Sequence, residues 1–472
     1  MKRFWLETYG CQMNKAESSA LESEMLNAGW IPASFPEEAD LVILNTCSVR
    51  ATAEERIWGR LGRFKALKEK HPYTLVVMGC MAQRLKGAIQ ERFPAVDMVV
   101  GSFQKGAFSL MLGRAASGKR DAELAGFTGG EPFDASLLPD MRLQEEGRFS
   151  FAKRHAKKGD YKALVPIMHG CDNFCSYCIV PHVRGREVSR EPKAVYAEIG
   201  ELLEGGVKEI TLLGQNVNSY RFGLRGGEEP SGAGERGPAE KRDFVDFPAL
   251  IDGIFRRFPG LPWLRFLTSH PKDFSEALAE RFSVYSGLCR HIHLPVQHGS
   301  DTILKAMNRQ YTRSVYLSLV ERIREKAPGV LLGTDILIGF PGETDRDFKE
   351  TLTLMSEVQF DDAFTYYYNP REGTAACALE DTVPEKLKLE RLKEVIDLQR
   401  GISAAKKRKR LGRTVKVLVE EVSKKKEGEL LARTEGDEMV VFPGESSRIG
   451  GFATVHLEEL RGATFYGREV PS

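Results

Sequence analysis

Short apolar runs alternate with helix-forming stretches along the first part of the chain. The predicted strands are Phe4–Tyr9, Asp40–Asn45, Thr74–Met78 and Met98–Val100, and predicted helices such as Glu17–Ala28 and Ala53–Glu69 lie between them. Alternating strands and helices are typical of a parallel sheet covered by helices. The pattern therefore predicts a small α/β domain, which we assign to residues 1–117.

A second and longer series of strands and helices begins near Tyr161. Its predicted strands are Ala163–Met168, Glu209–Leu213, Leu264–Thr268, His291–Leu294, Val330–Ile338 and Ala363–Tyr368. Six strand–helix units over residues 161–400 predict an open or partial (β/α)6 barrel. The weakly periodic, charged residues 118–160 are interpreted as a linker. Residues 221–241, rich in Gly, Glu and Pro and without an apolar face, are interpreted as a mobile surface insertion.

The last part of the chain has a different pattern. A polar helix is predicted over residues 384–409, and short strands separated by turns follow it. These strands are Val415–Val419, Leu430–Arg433, Met439–Val441 and Ala453–Leu460. They predict a small antiparallel β-barrel within residues 401–472.

Composition places the chain among ordinary globular proteins. It has 472 residues, 42% hydrophobic residues and a mean hydropathy of −0.31. No apolar run approaches the roughly 18 residues of a membrane helix, so no membrane partner is expected. No export signal is recognised at the N-terminus, which predicts a cytoplasmic protein. Thiols stay reduced there, so the 8 cysteines are expected to be metal ligands or buried residues.

Three of these cysteines follow the first barrel strand at a spacing typical of a metal site. Cys171, Cys175 and Cys178 lie on a loop at the carboxyl end of that strand, where α/β folds collect functional residues. Soft thiolates select zinc or iron–sulfur clusters. Structural zinc needs four ligands, and no fourth ligand follows at finger spacing, so a 4Fe–4S cluster with one open iron is favoured over zinc. Tyr177 is interpreted as a face for an adenine ring.

Cys11, Cys47 and Cys80 are distant in sequence, but each follows a predicted strand of the first domain. The carboxyl ends of parallel strands lie along one edge of the sheet, so the three thiols are expected to converge on a second cluster site. Three unrelated buried cysteines are the alternative. Cys289 and Cys377 stand alone and are interpreted as structural.

Charge is balanced overall but not locally. The 68 Lys and Arg residues nearly cancel the 66 Asp and Glu residues. A basic segment runs from Lys406 to Lys426, with only Glu420 and Glu421 opposing it. It suits a phosphate backbone or, alternatively, is a solvated helix end. The candidate RNA contacts are Lys406, Lys407, Arg408, Lys409 and Arg410.

The motif around Cys171 resembles that of the radical S-adenosylmethionine (SAM) superfamily, which has a partial (β/α)6 barrel. The resemblance implies that the open iron binds SAM and that SAM is cleaved to a 5′-deoxyadenosyl radical. Polar or glycine residues at the other strand ends are then candidate SAM contacts. They are Gly214, Gln215, Ser269, Gln297 and Asp335, together with Tyr177.

Two cysteine triads followed by a small barrel resemble the methylthiotransferases, over nearly the whole chain. The N-terminal segment from Tyr9 to Asn14 and the segment from Gly170 to Arg190 are similar to the signatures of the MiaB-type tRNA enzymes. The resemblance implies an N-terminal methylthiotransferase domain, a radical SAM core and a TRAM-like RNA-binding barrel.

It also implies methylthiolation of C2 of N6-isopentenyladenosine beside the tRNA anticodon, with two SAM molecules and two 4Fe–4S clusters. The implied partners are the anticodon stem-loop, an electron donor such as a flavodoxin or ferredoxin, and a sulfur donor. The alternatives are the same chemistry on threonylcarbamoyl-adenosine or a ribosomal protein aspartate, and a non-catalytic iron–sulfur electron carrier or redox-sensing RNA-binding protein. One position departs from the family pattern, because His298 stands where a small residue is expected.

Overall fold

The computed structural model describes residues 2–48, 51–105, 108, 159–223 and 244–471. Nearly all of the predicted linker at 118–160 lies outside the described residues, as does most of the predicted insertion at 221–241. The residues that flank this insertion form a two-stranded antiparallel pair, Arg221–Gly223 with Phe244–Asp246. Residues 221–223 therefore belong to a strand and not to the insertion.

The N-terminal domain is a parallel five-stranded sheet with helices on both faces. Its strand order is β2-β1-β3-β4-β5. The strands are β1 Arg3–Thr8, β2 Ile31–Pro32, β3 Leu41–Thr46, β4 Thr74–Gly79 and β5 Met98–Val100, and the helices are α1 Gln12–Asn27, α2 Ala51–Lys68, α3 Cys80–Leu85 and α4 Ala88–Arg92. In β3, Leu41 and Ile43 pack into one core cluster while Val42 and Leu44 pack into the other. Burial on both faces explains why the strand is a continuous apolar run.

The central domain is the predicted partial barrel. Its six strands are parallel and are arranged in chain order. They form two three-stranded sheets, β6-β9-β12 and β13-β14-β15. A bridge between Leu264 and Leu288 joins the two sheets. These strands are β6 Lys162–Pro166, β9 Glu209–Leu213, β12 Trp263–Phe266, β13 His291–His293, β14 Leu331–Ile338 and β15 Asp362–Tyr367. The prediction of six strand–helix units is confirmed.

Helices cover the outside of this barrel, and short strands lie in the connections that follow β6 and β9. The helices are α5 Val180–Arg184, α6 Pro192–Glu204, α7 Phe247–Arg257, α8 Glu276–Val284, α9 Asp301–Ala306, α10 Arg313–Lys326, α11 Asp345–Val358 and α12 Glu385–Arg408, and the accompanying strands are β7 Met168–His169, β8 Val188–Ser189, β10 Arg221–Gly223 and β11 Phe244–Asp246. Buried residues of the strands and helices form a single large hydrophobic cluster, which keeps the strand ends in place.

The C-terminal domain is a closed five-stranded barrel, but it is not purely antiparallel. Its strands are β16 Thr414–Val422, β17 Glu429–Thr434, β18 Met439–Pro443, β19 Phe452–Arg461 and β20 Thr464–Glu469. The sequence pattern missed β20, and the pairing of β18 with β20 is parallel while the other pairings are antiparallel. The predicted purely antiparallel pairing is wrong, because a closed barrel with an odd number of strands must contain at least one parallel pair.

This small barrel packs against the amino ends of the central strands. Arg265 on β12 donates to the carbonyls of Thr434 and Glu435 at 2.6 and 2.8 Å, and its Nε donates to Glu209 at 2.8 Å. The Trp263 and Phe452 rings meet edge to face with centroids 5.0 Å apart. The carboxyl ends of the central strands, where the cysteine loop lies, are on the opposite side. None of the helices that the structure describes has the length and apolar character needed to cross a bilayer.

Candidate active site

Cys11, Cys47 and Cys80 lie at the carboxyl ends of three neighbouring strands of the N-terminal sheet. Cys11 follows β1 and caps α1, Cys47 follows β3, and Cys80 follows β4 and begins α3. In a sheet of order 2-1-3-4-5, the crevice between β1 and β3 is the topological switch point where ligands bind. The predicted convergence of Cys11, Cys47 and Cys80 therefore agrees with their position in the sheet.

The local backbone brings Cys11 and Cys47 together. Gly10 has a φ of +131°, and a Cβ there would lie 2.3 Å from the Cβ of Cys47. Glycine is required because any side chain would collide with Cys47. Asn14, which is fully buried, accepts a hydrogen bond from the Cys11 thiol at 3.2 Å and donates to the Thr46 carbonyl at 2.9 Å. One side chain therefore links the residues around both thiols.

A cation from the central domain lies against this triad. Arg184 is 3% exposed and pairs with Glu17 of α1, Nη1 to Oε1, at 2.7 Å. A hydrogen bond with Cys47 and the charge of Arg184 hold the pKa of the Cys11 thiol at about 5, although burial opposes them. The negative charge of Cys80 is among the interactions that raise the pKa of Arg184. The surroundings thus favour the thiolate of Cys11, the form in which cysteine binds metals.

The second triad lies on the loop between β7 and α5. Gly170 has a φ of +78°, and a Cβ there would lie 1.9 Å from the Arg186 carbonyl, so the loop starts with a close backbone approach. Cys175 is buried, and the other two thiols are partly exposed. Burial raises the pKa of Cys171 to about 11 and that of Cys178 to about 12. These two thiols need a metal or another cation to lose their protons.

Arg309 supplies a cation to this loop. It is buried, its Nη1 donates to the Cys175 sulfur at 3.3 Å, and its Nη2 donates to the Pro295 carbonyl at 2.7 Å. Nη1 also reaches the Tyr177 hydroxyl at 3.4 Å. Each triad therefore has a buried arginine beside it, which suits an anionic thiolate-bound cluster.

Three soft thiolates and one buried cation at each triad fit an iron–sulfur cluster. Within the described ranges, no group of three His, Cys, Asp or Glu residues has the arrangement of a single-ion site. A cluster needs no such group, because each thiolate binds a different iron atom.

The two triads adjoin across the domain boundary. Cys80 packs in one buried cluster with Ile179, which directly follows Cys178, and with Val183 on α5. The helices α3 and α5 are in contact there, and α1 packs against β6. Neither contact was predicted, since the first joins residues about 100 positions apart and the second joins residues about 150 positions apart.

Gln215, Ser269 and Gln297, three of the predicted SAM contacts, follow the carboxyl ends of β9, β12 and β13. Ser269 donates to Asn218 at 3.3 Å, and Gln297 pairs with β14 through the backbone of Ile336. Thr268 and Gln297 have φ values of +65° and +70°, a strained conformation that is common at functional sites. Four buried polar atoms in this region have no hydrogen-bond partner among the described residues. They are Gln215 Oε1, Asn216 Oδ1, Asn218 Nδ2 and His270 Nε2. Unpaired buried polar atoms are costly, which indicates a polar ligand here.

Other predicted SAM contacts have different local roles. Asp335 lies in the middle of β14, and its carboxylate is 3.3 Å from His293 Nε2. A Cβ at Gly214 would lie 2.3 Å from the Met168 side chain, so this glycine serves packing. The Tyr177 ring packs against the cluster that contains Phe340. None of these observations tests SAM binding, which stays a prediction for all three.

His298 does not face the barrel mouth as an open polar group. It is fully buried, its Nε2 is 3.1 Å from Glu343 Oε2, and its Nδ1 accepts from the Ser300 amide. Arg391 also binds Glu343, at 2.7 Å. The departure from the family pattern is therefore accommodated by a buried polar network.

The five candidate RNA contacts divide into two sets. Lys406 and Arg410 bind Asp361 at 2.7 and 2.5 Å, and Lys407 donates to the Ala463 carbonyl at 2.7 Å. These three hold the end of α12 against the neighbouring domains. Arg408 and Lys409 are exposed. Only these two extend into solvent, so the RNA-contact prediction is best directed at them.

Sequence reasoning missed four residues of the site, namely Asn14, Arg184, His270 and Arg309. Asn14 and Arg184 stand inside motifs that were already singled out, and His270 directly follows Ser269, so their polar character was a usable signal. Arg309 lies in no such motif, and only the fold brings it to Cys175.

Comparison with known proteins agrees with this architecture. The Uncharacterized protein family UPF0004 model matches residues 3–101, the Radical SAM superfamily model matches 165–355 and the TRAM domain model matches 408–468. A solved structure of the radical S-adenosylmethionine methyltransferase TsrM from Kitasatospora setae is similar in fold, with a TM-score of 0.55 and 17% identity. That similarity covers 80% of this chain and 77% of the other.

Curated relatives are similar over nearly their whole length. The chain is 47% identical to a tRNA-2-methylthio-N(6)-dimethylallyladenosine synthase of Treponema denticola, over 98% of both chains. It is 40% identical to a protein of the same name from Clostridium botulinum, over 99% of this chain and 97% of that one.

The barrel, the cysteine loop and the matching family model define a radical SAM enzyme. Within that class, the chain belongs to the family of tRNA-2-methylthio-N(6)-dimethylallyladenosine synthases, and it is a methylthiotransferase.

Proposed function

We propose that this chain transfers a methylthio group to C2 of N6-isopentenyladenosine beside the tRNA anticodon, using two SAM molecules and two 4Fe–4S clusters. The substrate rests on the relatives, which match through all three domains. The assignment of a second cluster rests above all on one observation. Cys80 is in contact with Ile179 and Val183, and this contact places the two triads next to each other.

We assign one cluster to Cys171, Cys175 and Cys178, and the other to Cys11, Cys47 and Cys80. When bound, the clusters and SAM supply one-electron chemistry and the sulfur. The chain itself provides thiolates, with Arg309 and Arg184 offsetting their charge. Such chemistry suits an aromatic C–H bond, for which acid–base catalysis offers no route.

The roles of the other residues follow from their positions. Gln215, Ser269 and Gln297 lie at the carboxyl ends of barrel strands, and unpaired buried polar atoms lie in the same loops after β9 and β12. These three residues would orient SAM and the target base. We also propose that Tyr177, Gly214 and Asp335 contact SAM. The buried walls of the barrel would exclude water from the reacting atoms.

We further propose that the C-terminal barrel and the basic segment, through Arg408 and Lys409, hold the anticodon stem-loop by its phosphates. A base in a single-stranded loop can be splayed out into a pocket at low cost. An electron donor such as a flavodoxin or ferredoxin and a separate sulfur donor complete the reaction, and the cytoplasm is the proposed compartment. Domain limits of 1–117, 161–400 and 401–472, with 118–160 as a linker, belong to this proposal.

The test is turnover and iron content of the anaerobically reconstituted full chain. SAM, reductant, sulfide and anticodon stem-loops carrying isopentenyladenosine or threonylcarbamoyl-adenosine are supplied, and the nucleosides are identified by mass spectrometry. We expect about eight irons per chain and methylthiolation of the isopentenylated RNA alone.

Two variants separate the parts of this proposal. Changing Cys11, Cys47 and Cys80 to Ala should leave about four irons and SAM cleavage but no methylthio product. Cys377→Ala, which removes an exposed cysteine outside both triads, is the matched control and should keep full turnover. Methylthiolation of the threonylcarbamoyl substrate alone would overturn the substrate, and about four irons in the intact chain would overturn the second cluster.

A further inference from the structure

Arg184 lies buried at the junction of the N-terminal domain and the barrel. It ends α5, six residues beyond Cys178, and its side chain is 3% exposed. It therefore belongs to the segment that carries the radical SAM triad. Its guanidinium nevertheless points at the other triad.

Among the described residues, the guanidinium of Arg184 forms hydrogen bonds with two residues of α1. Nη1 is 2.7 Å from Glu17 Oε1, Nη2 is 3.3 Å from Glu17 Oε2, and Nη2 is 3.4 Å from Asn14 Oδ1. Asn14 also accepts a hydrogen bond from the Cys11 thiol, so a single side chain, that of Asn14, connects Arg184 to the Cys11 sulfur. Cys80 packs against Val183, the residue next to Arg184, so a second cysteine of that triad lies beside the same segment.

Among the residues that the structure describes, the ion pairs of Glu17 leave one positive charge in excess. Glu17 pairs with both Arg184 and Lys105, so two cations share one carboxylate. Burying a cation without a full counter-charge costs several kcal/mol. An anion that shares this burial would offset the surplus positive charge, and the site at Cys11 and Cys80 lies beside Arg184, through Asn14 and Val183 respectively. The arrangement is that of a pocket made for a group with net negative charge.

We infer that Arg184 is a positioning residue that ties the N-terminal domain to the radical SAM core through Glu17. At the same time it supplies the cationic wall of the auxiliary cluster site at Cys11, Cys47 and Cys80. A nearby positive charge stabilises the more negative, reduced form of a cluster, so Arg184 raises the reduction potential of that cluster. This inference rests on the proposed function, because it needs a cluster at that triad.

The experiment isolates the auxiliary cluster in the full chain. In a background in which Cys171, Cys175 and Cys178 are changed to Ala, the remaining cluster is reconstituted anaerobically. Its reduction potential is then measured by a redox titration followed by electron paramagnetic resonance. Arg184→Gln, Arg184→Lys and Glu17→Gln are compared. The matched control is Arg190→Gln, because Arg190 is equally buried, lies on the same segment and pairs with Glu198.

The expected shifts have opposite signs. Arg184→Gln should move the potential to a more negative value, since it removes a positive charge. Glu17→Gln should move it to a more positive value, since it removes a negative one. Arg184→Lys should give a reduction potential close to that of the background protein, and Arg190→Gln should leave the potential unaltered. If Arg184→Gln takes up no iron while Arg184→Lys does, the positive charge is needed for assembly, which also supports the inference.

Two results would count against it, and they are distinguishable. Iron bound in all variants with one common potential would overturn the role of Arg184 and leave the proposed function standing. Absence of iron from the background itself would overturn the auxiliary cluster, and the proposed function and this inference would fail together.

Discussion

The Nη1 atom of Arg309 lies 3.3 Å from the sulfur of Cys175. Nη2 of the same guanidinium donates to the Pro295 carbonyl, and Nε donates to the Tyr311 hydroxyl at 3.0 Å. Arg309 thus ties the cysteine loop to the end of the fourth barrel strand. Its position follows the short helix α9 and is set by long-range packing.

Arg309→Ala should impair assembly of the radical SAM cluster. The loop would lose the cation that donates a hydrogen bond to the Cys175 sulfur, and the Pro295 carbonyl would lose its donor. We expect iron content to fall from about eight to about four per chain, with loss of SAM cleavage. Arg313→Ala, on the adjacent helix, removes a side chain bound to Glu350 and Glu357 and should keep both. Full iron content in Arg309→Ala would contradict this prediction.

His270 should make the metal-free protein sensitive to mild acid. Burial and the positive charges of Arg309 and Lys272 lower its pKa to about 2, below the ordinary 6.5. A pKa lowered in the folded state means that the neutral ring is favoured by folding. This stability is complete above pH 6.5 and is lost as the pH falls toward 2. Between pH 7.5 and 5.5 the loss should be about 1.4 kcal/mol.

Urea unfolding at the two pH values measures this effect. His270→Gln should show a smaller loss of unfolding free energy on acidification than the unchanged chain. The control is His71→Gln, because His71 is exposed. Equal acid sensitivity in all three proteins would show that another group is responsible.

Arg265 should be essential for docking of the C-terminal barrel. It binds Glu209 within the core and two carbonyls of the C-terminal barrel, so its loss leaves a buried carboxylate with fewer partners. Arg265→Ala should lower the unfolding free energy by about 3 kcal/mol. It should also expose the joint near residue 410 to limited proteolysis. Arg256→Ala, at an exposed position of α7, should change neither. Unaltered proteolysis in Arg265→Ala would rule out the docking role.

Arg408 and Lys409 should contribute to RNA affinity without contributing to stability. Changing both to Ala should weaken binding of the anticodon stem-loop and reduce the slope of log affinity against log salt by about 1 to 2. Lys406→Ala is the contrasting variant, because Lys406 binds Asp361 and should lower the melting temperature. Binding is measured by fluorescence anisotropy over a range of salt concentrations. An unchanged affinity and salt slope would exclude these two residues from the RNA contact.

Most strands were predictable because apolar periodicity and turn residues are local properties. Glu209–Leu213 and Met98–Val100 were predicted to the residue. The strand β20 was missed, and with it the parallel pair that closes the C-terminal barrel, because Thr464–Glu469 is polar and only one of its residues is deeply buried. Pairing partners are long-range properties that hydrophobic periodicity does not encode.

By itself, the sequence predicted two triads of cysteines, one on the loop after the first barrel strand and one at three strand ends of the N-terminal sheet. Strand ends in parallel sheets converge, so this part needed only local pattern and chain order. Only the tertiary structure decided that Cys80 adjoins the Cys178 segment, and that Arg184 and Arg309 bring charge to the triads. It also decided that Lys406 and Arg410 bind Asp361. Such contacts depend on how separate domains pack, and a buried charge takes its partner from whichever segment that packing brings near.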